Sequence, residues 1–483
     1  MRITASAAIS DPNLLGAAFV GNSWATWRAV LRAAEGLKLT KGQDTAFRVV
    51  ADRAPPQRRV RELWVIAGRR AGKDSVASAI ATAAAMGSYG PYLRPGEKAA
   101  VLCLAVNRQQ ARIVHRYIAA YFAKNDLLRP LVVRETDDGL ELSNDVEIIV
   151  ATNSYRSVRG KTVVCVILDE VAFWRDEESA NPDIETYNAL IPALITIPDA
   201  MLIGITTPYR KAGLAYQKWK QHFGKDEDDA LVVKGPSTAF NPTLPQSIID
   251  AALAKDPEAG AAEWLAEWRN DISGFLDREL IEASVDRGVI VRNRQPGAAY
   301  VAFCDPSGGR GDAFTAAVAH ADSKTNEIVL DALYERRPPF DPSQVVAEIA
   351  GTIRAYNVAQ VTGDRYAAEW VVSAFKKAGI TYRQAEHDRS ALYLNALPLF
   401  TAGRVRLLDH PRLTRQFTSL ERRTSRVGRD RVDHGPGGHD DLANAVAGAL
   451  TLAADAKKQP IKIPPQVMRW AKKPSRHLIA RTL

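Results

Sequence analysis

Cysteine is scarce, with 3 among 483 residues, and none of Cys103, Cys165 and Cys304 has a second cysteine at zinc-ligand or redox spacing. That excludes a disulfide scaffold and a thiolate zinc site. Each cysteine lies in or beside an apolar, strand-like run, so all three are expected to be small buried hydrophobes in a reducing compartment. Long apolar runs are missing too. None approaches the roughly 20 residues of a membrane-spanning helix, which predicts no membrane role. The opening MRITASAAISDPNLLGAAFV breaks its apolar residues with Ser, Asp, Pro and Asn and so lacks a signal-peptide core. The expectation is a cytoplasmic protein. Internal repeats and long low-complexity segments are also absent.

What is present is enough apolar sequence, 46% of the chain, for two cores rather than one. The net charge of +9 points to a polyanionic partner such as nucleic acid, although spread over 483 residues it equally fits a mildly basic surface.

From Leu63 to Gly213, LWVIAG, VLCLAV, VEIIVAT, TVVCVILDE and MLIGITT alternate with the helical stretches SVASAIATAAAM and RQQARIVHRYIAAYF, the pattern of a mostly parallel sheet covered by helices. Residues 1–223 are therefore expected to form one α/β domain. Residues 224–297 read as a connecting subdomain, turn-rich and with helices around Ile248–Leu253 and Ala261–Asn270. A second α/β unit spans 298–456: YVAFCDPSG, FTAAVAHAD and EIVLDALYE, a helix near Ser343–Tyr356, the strand AQVTGD and a last helix HDDLANAVAGALTLAADA. Its first two strands, close in sequence, are expected to be antiparallel. Residues 457–483 carry Lys457, Lys458, Lys462, Arg469, Lys472, Lys473, Arg476 and Arg481 with no acidic residue, a basic flexible tail.

The strand LWVIA runs into Gly68, Arg69, Arg70, Ala71, Gly72, Lys73, Asp74 and Ser75 and then an Ala-rich helix, the strand–loop–helix setting of a phosphate-binding loop. There, backbone N–H groups and the helix N-terminus face the phosphates and Lys73 reaches the outer two. Two positions depart from the usual form. Ala67 stands for the first glycine, and Asp74 for the Ser or Thr that ligates magnesium, leaving Ser75 or Asp74 itself to bind the metal. A Gly-rich turn at a strand–helix junction is the plainer reading. The partner motif argues against it: the apolar strand Val163–Leu168 ends in Asp169 and Glu170, where the first carboxylate can hold Mg²⁺ and the second can activate a water. Thr206 and Thr207, ending the next strand, are candidate γ-phosphate sensors, though Thr also simply favours strands. Arg156 and Arg159 in SYRSVRG are candidates for stabilising transition-state charge, with a solvated loop as the alternative. Trp24 and Trp27 are placed either on the adenine base or in the core.

In the second half, Asp305 ends YVAFC, Asp364 ends AQVTG, and Asp440 and Asp441 open the last helix. Singly these are turn or cap residues. If those elements are adjacent, the cluster would be a two-metal site whose hard oxygen ligands suit Mg²⁺ or Mn²⁺ around a scissile phosphate. Asp440 and Asp441 project about a hundred degrees apart on a helix, so one binds metal and the other supports it or caps the helix. Asp312, Asp433, His434 and His439 are weaker candidates, read as turn residues.

The loop at Ala67–Asp74, the strand VVCVILDE, the segment GITTP, and then Asp305, Asp364 and HDDLANA resemble, over roughly Trp24 to Ala453, the large terminase subunit of tailed bacteriophages. The resemblance implies an N-terminal P-loop NTPase domain with a parallel sheet and a C-terminal RNase H-like α/β nuclease domain with a mixed sheet. It implies a motor centre of Lys73, Asp169 and Glu170 using ATP and Mg²⁺, with Thr206 and Thr207 as the coupling segment and Arg159 at the position of a trans-acting arginine. Asp305, Asp364 and Asp440 or Asp441 would ligate Mg²⁺ or Mn²⁺, two ions, for nuclease chemistry. The implied partners are double-stranded DNA, the portal protein of a procapsid, a terminase small subunit and further copies of the chain in a ring, in the cytoplasm of an infected bacterium. Two rivals remain: a cellular helicase-nuclease, whose further helicase motifs and second motor domain are not found, and a non-catalytic DNA-binding scaffold.

Overall fold

The computed structural model describes residues 3–136, 138–152, 160–174, 182–309, 311–364, 369–424, 430–436 and 438–458. The chain divides into two compact units, Met1–Phe275 with Ser419–Gly438, and Leu276–Thr418 with His439–Leu483. Among the described residues no helix is long and apolar enough to cross a membrane.

The first unit is built on eight strands: β1 (Glu62–Ala67), β2 (Ala99–Ala105), β3 (Val132–Thr136), β4 (Gly139–Leu142), β5 (Val146–Thr152), β6 (Thr162–Asp169), β7 (Met201–Thr206) and β8 (Ala230–Gly235). Their order is β3-β4-β5-β2-β6-β7-β1-β8. From β5 to β8 every pairing is parallel, as the sequence pattern predicts. Strands β2, β6 and β7 are buried almost throughout, because a parallel sheet with helices on both faces has no polar side. In the helix Lys73–Ala85 every residue except Asp74 and Ser75 is buried. Its run of alanines lets it lie close to the neighbouring helix Arg108–Ala123 and to the sheet. The three cysteines are buried, as expected.

The expected connecting subdomain 224–297 is divided between the units. β8 extends the parallel sheet beside β1, so residues up to Phe275 belong to the first unit. The helices there are Gln246–Lys255 and Pro257–Leu265. The second ends earlier than the expected Asn270 because Ala266 adopts a left-handed conformation at φ 57°. A further sheet, β18-β17-β9, joins β9 (Ile272–Gly274) to β17 (Leu420–Thr424) and β18 (Asp430–His434) by antiparallel pairing. Glu421, fully buried on β17, accepts a 2.6 Å hydrogen bond from the Tyr209 hydroxyl, with Arg210 at 3.7 Å. The expected domain 298–456 therefore surrenders residues 419–438 to the first unit.

The second unit carries β10 (Val285–Asp286), β11 (Tyr300–Asp305), β12 (Phe314–Ala321), β13 (Ile328–Arg336), β14 (Gln360–Gly363), β15 (Thr381–Gln384) and β16 (Val405–Leu408), ordered β10-β16-β13-β12-β11-β14-β15. β11, β12 and β13 form an antiparallel meander. The others pair in parallel, which makes the mixed sheet expected of an RNase H-like unit. The last helix, Asp441–Lys458, packs across β11, β12 and β13. A Cβ at Gly448 would run into the Phe303 ring, so only glycine allows this closeness.

Candidate functional site

The phosphate loop is held from outside by its carbonyls. Ser237 Oγ donates to Arg69 O at 2.6 Å, Asn241 Nδ2 to Arg70 O at 3.1 Å, and Trp27 Nε1 to Ala71 O at 2.7 Å. A trans peptide points its C=O and N–H in opposite directions. Anchoring these three carbonyls therefore turns the N–H groups of Arg70, Ala71 and Gly72 the other way, as a nest for an anion at the helix N-terminus requires. Arg70 and Gly72 have φ of 62° and 86°, and a Cβ at Gly72 would sit 2.8 Å from Trp24. Arg69 is tied to Glu263 through its backbone N–H at 2.6 Å and its guanidinium at 2.9 Å. Trp24 and Trp27 thus buttress the loop, and Trp27 is 1% exposed. Trp27 takes the core alternative, whereas Trp24 is half-buried against the loop at Gly72.

Lys73, the first residue of its helix, is buried. Its Nζ donates to Ala67 O (3.0 Å), Gly68 O (3.3 Å) and Thr207 Oγ1 (2.9 Å) and lies 3.5 Å from Glu170 Oε1. Glu170 follows β6 in a left-handed conformation, φ 48°, a strained state for a side-chain-bearing residue and one that marks functional positions. Its Oε2 accepts from Thr207 N–H at 2.9 Å and from Thr206 Oγ1 at 3.4 Å. The structure thus brings Lys73, Glu170, Thr206 and Thr207 into one network, in which the backbone of Thr207 takes part as well as the hydroxyls that the sequence pattern singles out. Trp174 Nε1 holds Asp169 O at 2.8 Å. Burial first, then the neighbouring Asp74 and Glu170, push the Asp169 carboxyl well above the usual carboxylate range. Asp74 is raised as well, by burial and then by Glu170. Arg156 and Arg159 lie outside the described residues.

In the second unit, β11 and β14 are parallel neighbours with Cys304 opposite Gly363, which places Asp305 and Asp364 side by side at the two strand ends. Asp305 Oδ2 accepts from Asn444 Nδ2 at 2.9 Å, one turn into the last helix. Burial is the main cause that pushes Asp305 up to about 8, with Asp441, Asp440 and Asp364 adding to it. Asp441, raised to about 6 chiefly by burial, accepts from Ala313 N–H at 3.3 Å. Asp440 is engaged on both oxygens, by Arg389 at 2.8 Å and the Tyr393 hydroxyl at 2.9 Å. Of the pair, Asp441 is the less committed carboxylate. Asp312 and His439 lie 3.6 Å apart beside it, whereas Asp433 and His434 belong to β18 of the first unit.

Asn444 lies inside HDDLANA without being singled out there, and Arg389 and Tyr393 have no motif to announce them; the fold brings all three to the carboxylates. Among the described residues no group of three or more His, Cys, Asp or Glu side chains is placed so that it could hold a metal ion. The donors are nevertheless carboxylate oxygens, the chemistry of a hard divalent cation.

The raised Asp305 gives a pH signature in metal-free protein. Its folded-state pKa lies above the unfolded one, so its contribution to stability is present below the ordinary carboxylate range and is lost as pH rises through about 8. Asp305→Asn, with no charge to bury, melts higher than wild type at pH 8.5 in chelator by roughly 5 °C and together with it near pH 5. Parallel melting curves at both pH values would refute this.

No protein-family model matches the chain, and no curated protein matches it. Among solved structures the chain is similar to the HK97 bacteriophage large terminase at a TM-score of 0.37 and 18% identity, covering 86% of this chain and 95% of that one. It is similar to the large terminase of a thermophilic bacteriophage in complex with ADP at 0.36 and 12%, covering 87% and 97%. The large terminase nuclease of thermophilic phage G20c with bound magnesium matches at 0.31 and 18%, covering 36% of this chain and 94% of that one. At such values the chemistry has to be argued from the side chains.

Proposed function

We propose that this chain is a viral DNA-packaging enzyme of the large terminase kind, in which ATP hydrolysis moves double-stranded DNA into a procapsid and a metal-dependent endonuclease cuts the concatemer. The observation that carries the reading is the presence in one chain of both a Lys73–Glu170–Thr207 network on a phosphate loop and a carboxylate cluster of Asp305, Asp440 and Asp441 on a mixed sheet.

In the motor, the loop from Gly68 to Ser75 holds the triphosphate and Lys73 neutralises its outer oxygens. Glu170 takes a proton from the attacking water. Because Thr207 bonds to both Lys73 and Glu170, loss of the γ-phosphate would be felt directly at the residue that follows β7, as a coupling segment requires. Arg159 is assigned to a neighbouring subunit's transition state.

In the nuclease, Asp305, Asp364 and Asp441 would hold the ions, while Asp440, fixed by Arg389 and Tyr393, would support them. Mg²⁺ or Mn²⁺, as a pair, would supply charge stabilisation at the scissile phosphate and a more acidic water. The portal protein, a small subunit and a homo-oligomeric ring are the proposed partners, and the cytoplasm of an infected bacterium the place of action.

The deciding experiment adds the purified chain, ATP and linear DNA to portal-bearing procapsids and measures nuclease-protected DNA. ATP-dependent protection is the expected result. DNA-stimulated ATPase without protection would favour a helicase-nuclease, and neither activity would favour a DNA-binding scaffold.

A further inference from the structure

Asp74 occupies the position at which a phosphate loop ordinarily presents a neutral hydroxyl. In that ordinary arrangement the metal is held largely by the nucleotide's own phosphates and waters, and arrives with them. Here the balance of charge differs. Asp74, Asp169 and Glu170 all lie within Coulombic range of one another and of a single cation, Lys73. That is three formal negative charges against one positive.

Lys73 cannot serve all three. Its Nζ is committed to Ala67 O, Gly68 O and Thr207 Oγ1, with Glu170 Oε1 at 3.5 Å. Glu170 is further satisfied by the Thr207 N–H. Asp169 is satisfied only in part: its carboxyl meets the Glu170 backbone N–H, but it is 2% exposed and its Oδ1 has no hydrogen-bond partner among the described residues. A buried carboxylate oxygen without a donor is strongly destabilising unless a cation meets it. The deficit of two charges beside an orphaned carboxylate oxygen matches a divalent ion, and oxygen donors select Mg²⁺ or Mn²⁺.

We propose that Asp74 and Asp169 ligate a divalent cation directly, so that the phosphate loop of this chain holds its metal before any nucleotide arrives. Two carboxylates with water in the remaining positions suit a small hard cation, and no third protein ligand is needed. The inference rests on the reading of Gly68–Ser75 as a triphosphate site and adds an order of binding to it: metal first, nucleotide second.

The test uses the full chain, stripped with chelator and titrated with Mn²⁺ alone, the free ion being followed by electron paramagnetic resonance. Wild type binds one more Mn²⁺ than Asp74→Ser, or holds that ion at least tenfold more tightly, while the ions bound through Asp305 are common to both. Adding ADP restores the missing ion to Asp74→Ser, because phosphates then supply the ligands. The isosteric Asp74→Asn gives the same deficit if the serine variant is poorly folded. Equal Mn²⁺ counts and affinities for wild type and both variants without nucleotide would overturn the inference and leave Asp74 as a cap on its helix. Binding of a fluorescent ADP analogue, measured in parallel, separates the two levels. Nucleotide binding with no extra Mn²⁺ removes only the metal-first order, whereas absence of nucleotide binding removes the phosphate-site reading itself.

Discussion

Glu170→Gln slows ATP hydrolysis by about 10³-fold, the scale of a lost general base, while ATP still binds. The glutamine carbonyl can go on accepting from the Thr207 N–H, the bond that Glu170 Oε2 makes at 2.9 Å. Loop geometry and Lys73 are therefore kept, and only proton affinity is removed. Lys73→Ala behaves differently. It deletes the buried cation that ties Ala67, Gly68 and Thr207 together, so nucleotide affinity falls along with turnover. Phosphate release and fluorescent-nucleotide titration separate the two cases. A glutamine variant that hydrolyses ATP at the wild-type rate would remove Glu170 from the chemistry.

Asp305→Ala lowers Mn²⁺-dependent plasmid cleavage by about 10³-fold or more, equivalent to several kcal/mol of charge stabilisation, and leaves ATP hydrolysis intact. Asp305 is the carboxylate on which the neighbouring acidic groups converge, being raised by burial and by Asp441, Asp440 and Asp364. Asp441→Asn is nearly as damaging. Asp440→Asn costs less, about 10- to 100-fold, because Asp440 already answers to Arg389 and Tyr393 and acts through its neighbours. Nicking assays on the wild type and the three variants rank these roles. An Asp440 variant more damaged than the Asp441 variant would reverse the assignment.

Much of this is legible in the sequence because parallel strands buried on both faces read as continuous apolar runs, and because chemistry gathers at their ends. LWVIA, VVCVILDE, MLIGITT, YVAFC and AQVTG all read as strands, and Asp169, Glu170, Asp305 and Asp364 stand at or just past such ends. Local pattern cannot see what folding brings from far away. Nothing in the residues around Trp27, Ser237 or Asn241 announces that they hold the carbonyls of a loop up to 171 residues distant. The edge hairpin β3–β4 is short and mixed in polarity, with β3 mostly exposed, so it carries no strand periodicity. β8 is hidden behind the charged run KDEDD, which reads as a boundary although the chain re-enters the sheet directly after it.

The return of residues 419–438 to the first unit bears on how the protein is made. The polypeptide passes from one unit to the other three times, so no single cut yields two intact halves. A fragment beginning at Tyr300 would carry β17 without β9, and Glu421 without Tyr209 and Arg210. On the ribosome, β9 must wait for its partner strand until about 145 further residues have been added. The first unit is therefore completed only after most of the second has been synthesised, and a truncated or stalled chain would expose an unpaired sheet edge to other nascent copies.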